Sequence, residues 1–312
     1  GIFTHQGYDM DVIEKVKPTY RDAPTLSDKA AKAVVTIMRT SFDLITGYRV
    51  PPKGEENNIK YKLSMKTWAH RVIFLESVAA VPGIAGAMVR HLQSIRRFQR
   101  DRGWWEMQIE ESNNEKTHLA AALDFCQQHK VIKNGPLMKL MVLGTQGIMM
   151  NSFFLMYLVA PKLCHRWTGF LEEQAVTTYT HLLHELDQGW HPEANLPAPE
   201  LAIQYWKMAP NATFRDMISY IRADEQIHMT VNHTLANLDQ ALDPNPFVLE
   251  YPKNSPMVNP NVHDFNAILS HPTGWERHEI DVSAAIHPDM AKQMGFVPLE
   301  AIHKEHLAHP KH

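Results

Sequence analysis

The chain has 312 residues, 44% of them hydrophobic, and a net charge of −3. That length admits one large domain or two small ones with a sizeable core, and the charge gives no case for nucleic acid. Only two cysteines, Cys126 and Cys164, are present and no C-x-x-C, which argues against a disulfide framework or zinc finger and for a reducing compartment.

In chain order the dominant period is helical. Residues 1–26 are polar and irregular, with Pro18 and Pro24, and predict an extended arm. No charged segment followed by an apolar one opens the sequence, so no secretory signal is expected there. Ser27-Asp28 predicts a helix start, with a helix to about Thr46. A loop around Pro51-Pro52-Lys53-Gly54 precedes a long helix from about Ser64 to Arg97, in which Ala79, Gly83 and Gly86 admit a close neighbour. The next helix is predicted at 104–129 and an apolar one at 137–160. Further helices follow at about 162–188 and, after a Pro-rich loop, around Tyr205 and Trp206. A last long helix spans about 212–240, capped by Asn211 or Thr213. Residues 249–312 are rich in Pro and His and predict an irregular tail. No strand pattern is visible, so the fold class is all-α, with the helical bundle at 27–248.

A ligand set occurs twice on these helices. The lone Glu76 is followed by Glu115-Lys116-Thr117-His118, and Glu172 is followed by Glu225-Gln226-Ile227-His228. Residues three apart on a helix project from one face, so each E-x-x-H aims a carboxylate and an imidazole at one point. Four carboxylates and two imidazoles from four helices are how a four-helix bundle holds two iron or manganese ions. A buried carboxylate must be paired or coordinate metal, and no lysine or arginine is spaced to neutralise all four glutamates. The competing readings are helix-surface salt bridges and a metal-free scaffold with the glutamates on solvated faces.

From Leu140 to Ala160 no residue is charged, a stretch long enough to cross a bilayer at about 1.5 Å per residue. A crossing would place ligands before and after it about 30 Å apart, which one metal site cannot tolerate. The segment is therefore expected beside the metal helices with part of its surface in the lipid interface. The helix carrying Ala33, Val34, Ile37, Met38, Phe42, Leu44 and Ile45 is expected to be a second interfacial element. A fully buried core helix is the alternative for residues 140–160.

Several runs resemble the alternative oxidases, the di-iron ubiquinol oxidases of mitochondria. They are Arg71-Val72-Ile73-Phe74-Leu75-Glu76-Ser77-Val78, Asn114-Glu115-Lys116-Thr117-His118-Leu119, Leu171-Glu172-Glu173-Gln174-Ala175-Val176-Thr177-Thr178-Tyr179 and Arg222-Ala223-Asp224-Glu225-Gln226-Ile227-His228, supported by Val231-Asn232-His233-Thr234. The resemblance covers about residues 26–248. It implies two iron ions on Glu76, Glu115, His118, Glu172, Glu225 and His228. It implies that Tyr179 serves oxygen reduction, that Arg39, Asp43, Arg71, Leu75, Ala175 and Thr178 line a quinol pocket, and that Asn114, Asp224 and Trp206 surround the ligands. Tyr179 is seven residues after Glu172, two turns along one helix face and roughly 10 Å away.

The implied activity is cyanide-insensitive oxidation of ubiquinol by O2, giving water without proton pumping. It is carried out by a homodimeric, monotopic protein on the matrix side of the mitochondrial inner membrane. Three departures from the family pattern stand out. Gln174 occupies the place of a third acidic residue, Lys116-Thr117 replace a more usual Arg-Met, and no cysteine precedes Cys126, so thiol regulation is not expected. A di-iron hydroxylase acting on a quinone precursor or another lipid-like substrate shares the ligand set. It would lack the Arg71 to Glu76 run and the Thr178-Tyr179 pair.

Overall fold

The computed structural model describes residues 5–99, 101–243, 245–248 and 264–280. Its helices are α1 (Met10–Ile13), α2 (Leu26–Thr46), α3 (Met65–Arg97), α4 (Trp104–Gln128), α5 (Pro136–Val159), α6 (Pro161–Asp187), α7 (Glu200–Trp206), α8 (Phe214–Asn237) and α9 (Phe265–Ser270), and no strand occurs among the described residues. Local chemistry explains the boundaries. Thr25 and Asp28 form a reciprocal capping box that starts α2, two residues before the predicted Ser27, and Thr213 with Asp216 does the same for α8. Gly47 ends α2 with φ 73°, a left-handed value that Gly adopts freely, and the chain turns so that Tyr48 is buried.

The bundle is built from two close helix pairs, α3 with α4 and α6 with α8. Small residues permit both. A Cβ on Gly83 would stand 2.7 Å from the carbonyl oxygen of Gln108 in α4, and one on Gly169 would stand 2.5 Å from Nδ1 of His233 in α8. α3 runs through Pro82, and two nearby carbonyls accept side-chain bonds from neighbouring helices, Ala80 from Ser112 and Ser77 from Gln146. Trp68 and Val72 of α3, Phe125 of α4, Leu182 of α6 and Ile218 and Ile221 of α8 are joined in one apolar core.

α5 lies against α3 and α6 but buries only Phe153 and Tyr157. Ile148 is 73% exposed and Val159 83% exposed, so the alternative of a fully buried core helix does not hold. α2 shows the same asymmetry, with Ala31 and Val35 packed inward while Leu44 and Ile45 point outward at 78% and 83% exposure. Apolar residues outnumber the places available in the core on both helices.

Two segments predicted to be irregular are partly ordered. The arm contains α1, and its Ile13 and Val16 enter the core. Residues 264–280 carry α9, bury Phe265, Ile268, Trp275 and Ile280, and join Arg277 to Asp243 through two contacts of 2.8 Å. These anchors are single and unevenly spaced, which is why no period announced them. Residues 249–263 and 281–312 of the predicted tail lie outside the described residues, as does Pro244.

Candidate metal centre

One ligand or one E-x-x-H pair comes from each of α3, α4, α6 and α8, and all six side chains are buried. Glu76, Glu115, His118 and Glu225 offer ligand atoms within 4.8 Å of one another, and Glu172, Glu225 and His228 form a second such group. Nδ1 of His118 stands 3.3 Å from Glu76 Oε2, 3.5 Å from Glu115 Oε2 and 3.4 Å from Glu225 Oε1. Nδ1 of His228 stands 2.6 Å from Glu115 Oε1 and 3.3 Å from Glu225 Oε2. Glu115 and Glu225 therefore each turn one oxygen to each histidine, whereas Glu76 belongs to the first group and Glu172 to the second.

These atoms are poorly served by hydrogen bonds. Glu76 Oε2, both oxygens of Glu115, Glu225 Oε2 and both Nδ1 atoms are buried without a hydrogen-bonding partner. Leaving such a group unsatisfied costs about 1–3 kcal/mol, and more when it is charged. Six of them facing one point fit a pair of cations. Burial pushes Glu76 up to about 8, with Glu115 and Glu225 adding to the rise and His118 opposing it. Burial likewise raises Glu172 well above the carboxylate range, reinforced by Glu225 and Glu115. Burial would also raise Glu115, but the charges of His118 and His228 hold it below that range. The site has more negative charge than its own side chains can compensate.

Around His118 the supporting shell is complete. Asp224 Oδ2 accepts from Nε2 of His118 at 2.9 Å, from Asn114 Nδ2 at 2.8 Å and from Trp206 Nε1 at 2.8 Å. With its Nε2 hydrogen donated to Asp224, the ring would offer Nδ1 to a cation once the proton there is displaced. Asn114 also bonds the Tyr205 hydroxyl at 2.9 Å. Burial would raise the Asp224 carboxyl, yet His5 and His118 hold it well below its usual value.

His5 and Tyr8 were not among the sequence candidates. His5 Nε2 approaches Asp224 Oδ1 at 3.1 Å, and the Tyr8 hydroxyl donates to the same oxygen. His5 Nδ1 accepts from the Gly7 amide at 2.9 Å, which assigns the ring hydrogen to Nε2. The arm thus supplies two donors from more than two hundred residues away in sequence. A cavity of about 570 Å³ lies here, lined by His5, Tyr8, Asn114, Tyr205, Asp224 and His228 among others. Near His228, Asn232 Nδ2 donates to Glu111 Oε2 at 2.9 Å and to the His228 backbone carbonyl at 3.0 Å, and Asn232 Oδ1 accepts from His165 Nδ1 at 2.9 Å.

Tyr179 is buried, and its hydroxyl donates to Glu76 Oε1. Its link to the cluster therefore runs across to α3 rather than along α6 to Glu172. Burial, with Glu76 next, raises this phenol well above its ordinary value. A separate cluster joins α2, α3 and α6. Arg39 contacts Asp43 at 2.6 Å and Thr178 Oγ1 at 2.7 Å, and Arg71 contacts the other Asp43 oxygen at 2.7 Å. Arg71 is only 1% exposed, with its guanidinium 4.2 Å from the centre of the Tyr48 ring, so it is no ordinary surface arginine. Leu75 and Ala175 are half-buried, one turn from Arg71 and Thr178 respectively.

The family model described as alternative oxidase matches residues 8–237. The chain is 45% identical over 282 residues to the mitochondrial alternative oxidase of Aspergillus niger, covering 89% of this chain and 77% of that protein. It is 44% identical over 281 residues to the mitochondrial alternative oxidase of Emericella nidulans, covering 89% and 76%. With that of Yarrowia lipolytica it shares 40% over 277 residues, covering 88% and 75%. With all four glutamates and both histidines of the ligand set inside the matched region, the chain belongs to the alternative oxidase family.

Proposed function

We propose that this chain oxidises ubiquinol with O2 at two iron ions held by Glu76, Glu115, His118, Glu172, Glu225 and His228. The observation that carries the reading is the arrangement of Glu115 and Glu225, each turning one oxygen to His118 and one to His228. Iron, when bound there, supplies one-electron chemistry toward O2 that no side chain of the protein can supply. Two quinols release four electrons and four protons, and one O2 takes up the same number to give two water molecules.

The protein's own part is positioning. Asp224, held by Asn114 and Trp206, fixes the tautomer and plane of His118. Tyr179 keeps a proton on its hydroxyl against Glu76, because burial disfavours the phenolate. Arg39, Arg71 and Thr178 offer donors for the oxygens of a quinone head, and Asp43 offers an acceptor for a quinol hydroxyl. Leu75 and Ala175 supply apolar contact. The Arg39–Asp43–Arg71 triad ties α2 to α3, so a head-group seated there lies between an interfacial helix and the helix bearing Glu76.

The outward apolar faces of α2 and α5 suit immersion in one leaflet, with the oxidase domain at 27–248. The relatives are named mitochondrial. That fits a monotopic protein on the matrix side of the inner membrane, where proton release and uptake share one side. Ile84, Met88, Leu92 and Ile95 form an exposed apolar row on α3, a suitable face for a homodimer contact. Hydroxylation of a quinone precursor by the same ligand set is the competing chemistry. Oxygen uptake driven by ubiquinol in the presence of cyanide, with iron content measured alongside, tests the proposal. Uptake with no oxygenated quinone product is expected, and an iron-loaded sample that takes up no oxygen rejects the oxidase.

A further inference from the structure

A line of ionisable side chains unconnected with the metal ligands starts at the Arg39–Asp43–Arg71 cluster. Tyr48 lies under both guanidiniums, 4.2 Å from that of Arg71 and 5.0 Å from that of Arg39. Its hydroxyl is 2.9 Å from Nδ1 of His181. Nε2 of His181 is buried without a hydrogen bond and faces Glu185 Oε1 at 3.6 Å. Glu185 Oε2 stands 2.7 Å from Nε2 of His191 and accepts from Trp68 Nε1 at 2.8 Å. His191 is buried between half-buried Trp190 and exposed Pro192, so the line ends near the surface.

Two features set this line apart from ordinary core polarity. Glu185 is fully buried, and its ionic contacts among the described residues are with two histidines rather than with lysine or arginine. A buried carboxylate must be paired, and a histidine partner, unlike lysine or arginine, can gain and release a proton near neutral pH. The tautomers are also aligned. A Tyr48 hydroxyl donating to Nδ1 leaves the imidazole hydrogen on Nε2, the atom that faces Glu185.

We propose that Tyr48, His181, Glu185 and His191 relay protons from quinol oxidation to the protein surface beyond the end of α6. The proposal rests on the reading of Arg39, Asp43 and Arg71 as the quinol pocket. Each transfer is balanced. The quinol O–H bond breaks as its proton joins the Tyr48 oxygen and the Tyr48 proton passes to His181 Nδ1. The Nε2 proton of His181 passes to Glu185, and from there a proton moves through His191 to water. The electrons take the separate course to the metal centre required by the oxidase activity. The charged and titratable groups acting on His181 are Arg39 from α2, Tyr48 after it, Arg71 from α3, and His184 and Glu185 on α6. Burial lowers the His181 imidazole below its ordinary value, with Glu185 opposing and Arg39 and Arg71 adding to the fall, so the ring hands a proton on rather than keeping it. Burial likewise pushes the Tyr48 phenol up to about 12, so it exchanges protons without ionising.

The test uses the iron-loaded full chain in liposomes containing ubiquinol. Turnover, quinol KM, iron content and rescue by added imidazole are measured for His181→Ala and Glu185→Gln. His181→Ala is expected to keep iron and KM, to lose at least about tenfold in kcat, and to regain activity with imidazole. Glu185→Gln, which keeps an acceptor for Trp68, is expected to lose kcat and show a larger solvent deuterium isotope effect. Unchanged kcat in both variants overturns the relay, as does a loss that tracks iron content and ignores imidazole. Where His181→Ala does not fold, Glu185→Gln decides. Arg39→Gln tests the pocket separately: an unchanged quinol KM there overturns the pocket reading, whatever the relay variants do.

Discussion

Asp224 Oδ2 stands 2.9 Å from Nε2 of His118, and the opposite ring nitrogen is the one that faces Glu76, Glu115 and Glu225. A carboxylate that holds a metal-binding imidazole this way determines both its tautomer and its basicity. Asp224→Asn is expected to keep the fold and weaken metal binding by about 10- to 100-fold. Competition with a chelator measures this, and wild-type affinity in the variant would remove Asp224 from that role.

The ligands and Tyr179 separate cleanly. Glu225 contacts both histidines, so Glu225→Ala is expected to abolish iron binding and turnover together. Tyr179 touches the cluster only through Glu76, so Tyr179→Phe is expected to keep the iron and lose activity. Iron content and turnover on the same samples check both, and an active Tyr179→Phe variant excludes the phenol from the reaction.

The arm acts at a distance. His5 and Tyr8 both reach Asp224 Oδ1, and Tyr8 packs edge-on against Phe265 with ring centroids 5.2 Å apart. A hydrogen bond to a charged group contributes about 1.5–3 kcal/mol. Tyr8→Phe is therefore expected to lower the melting temperature by several degrees and to weaken metal binding, although residue 8 contacts no ligand. Thermal unfolding with metal titration measures both effects, and a variant indistinguishable in each contradicts this role.

His165 gives a signed pH effect. Burial lowers its imidazole to about 4, with Arg90 adding and the Asn232 bond opposing. The unfolded chain binds that proton from about pH 6.5 downward, the folded chain only near pH 4. Its stabilising contribution is present above about 6.5 and is lost as pH falls through that window, on the order of 3 kcal/mol in all. His165→Gln is expected to flatten the fall in melting temperature between pH 6.5 and 4 relative to wild type. An equally steep fall in the variant contradicts the assignment.

Ile45 and Ile148 test the proposed membrane face. Both are strongly exposed on helices whose inward sides are already packed. Ile45→Glu and Ile148→Glu together are expected to shift the protein from liposomes to the soluble fraction while leaving iron content unchanged. Retention on liposomes at the wild-type level would argue against lipid contact at this face.

Much of this architecture was legible from residue order. Caps and prolines located the long helices, and two E-x-x-H pairs with two lone glutamates in apolar helices named the six side chains that the structure brings together. What escaped shares one physical cause: it depends on contacts across large sequence separations without a period to mark them. His5 and Tyr8 lie in an aperiodic arm, and Trp275 and Ile280 are isolated anchors in a segment rich in polar residues. The seven-residue spacing put Tyr179 on the face of Glu172, but spacing within α6 says nothing of Glu76 on α3, which receives its hydroxyl. For residues 140–160, apolar character alone could not separate a core helix from an exposed one. That distinction depends on how many neighbours the fold brings to α5.

The central claim is that Glu115 and Glu225 stand between two metal ions. Anomalous X-ray scattering at the iron edge from crystals of the iron-loaded protein tests it most directly. Two peaks are predicted, one beside Glu76 and His118 and one beside Glu172 and His228, with Glu115 and Glu225 between them. A single peak, or none at these side chains, would contradict the account.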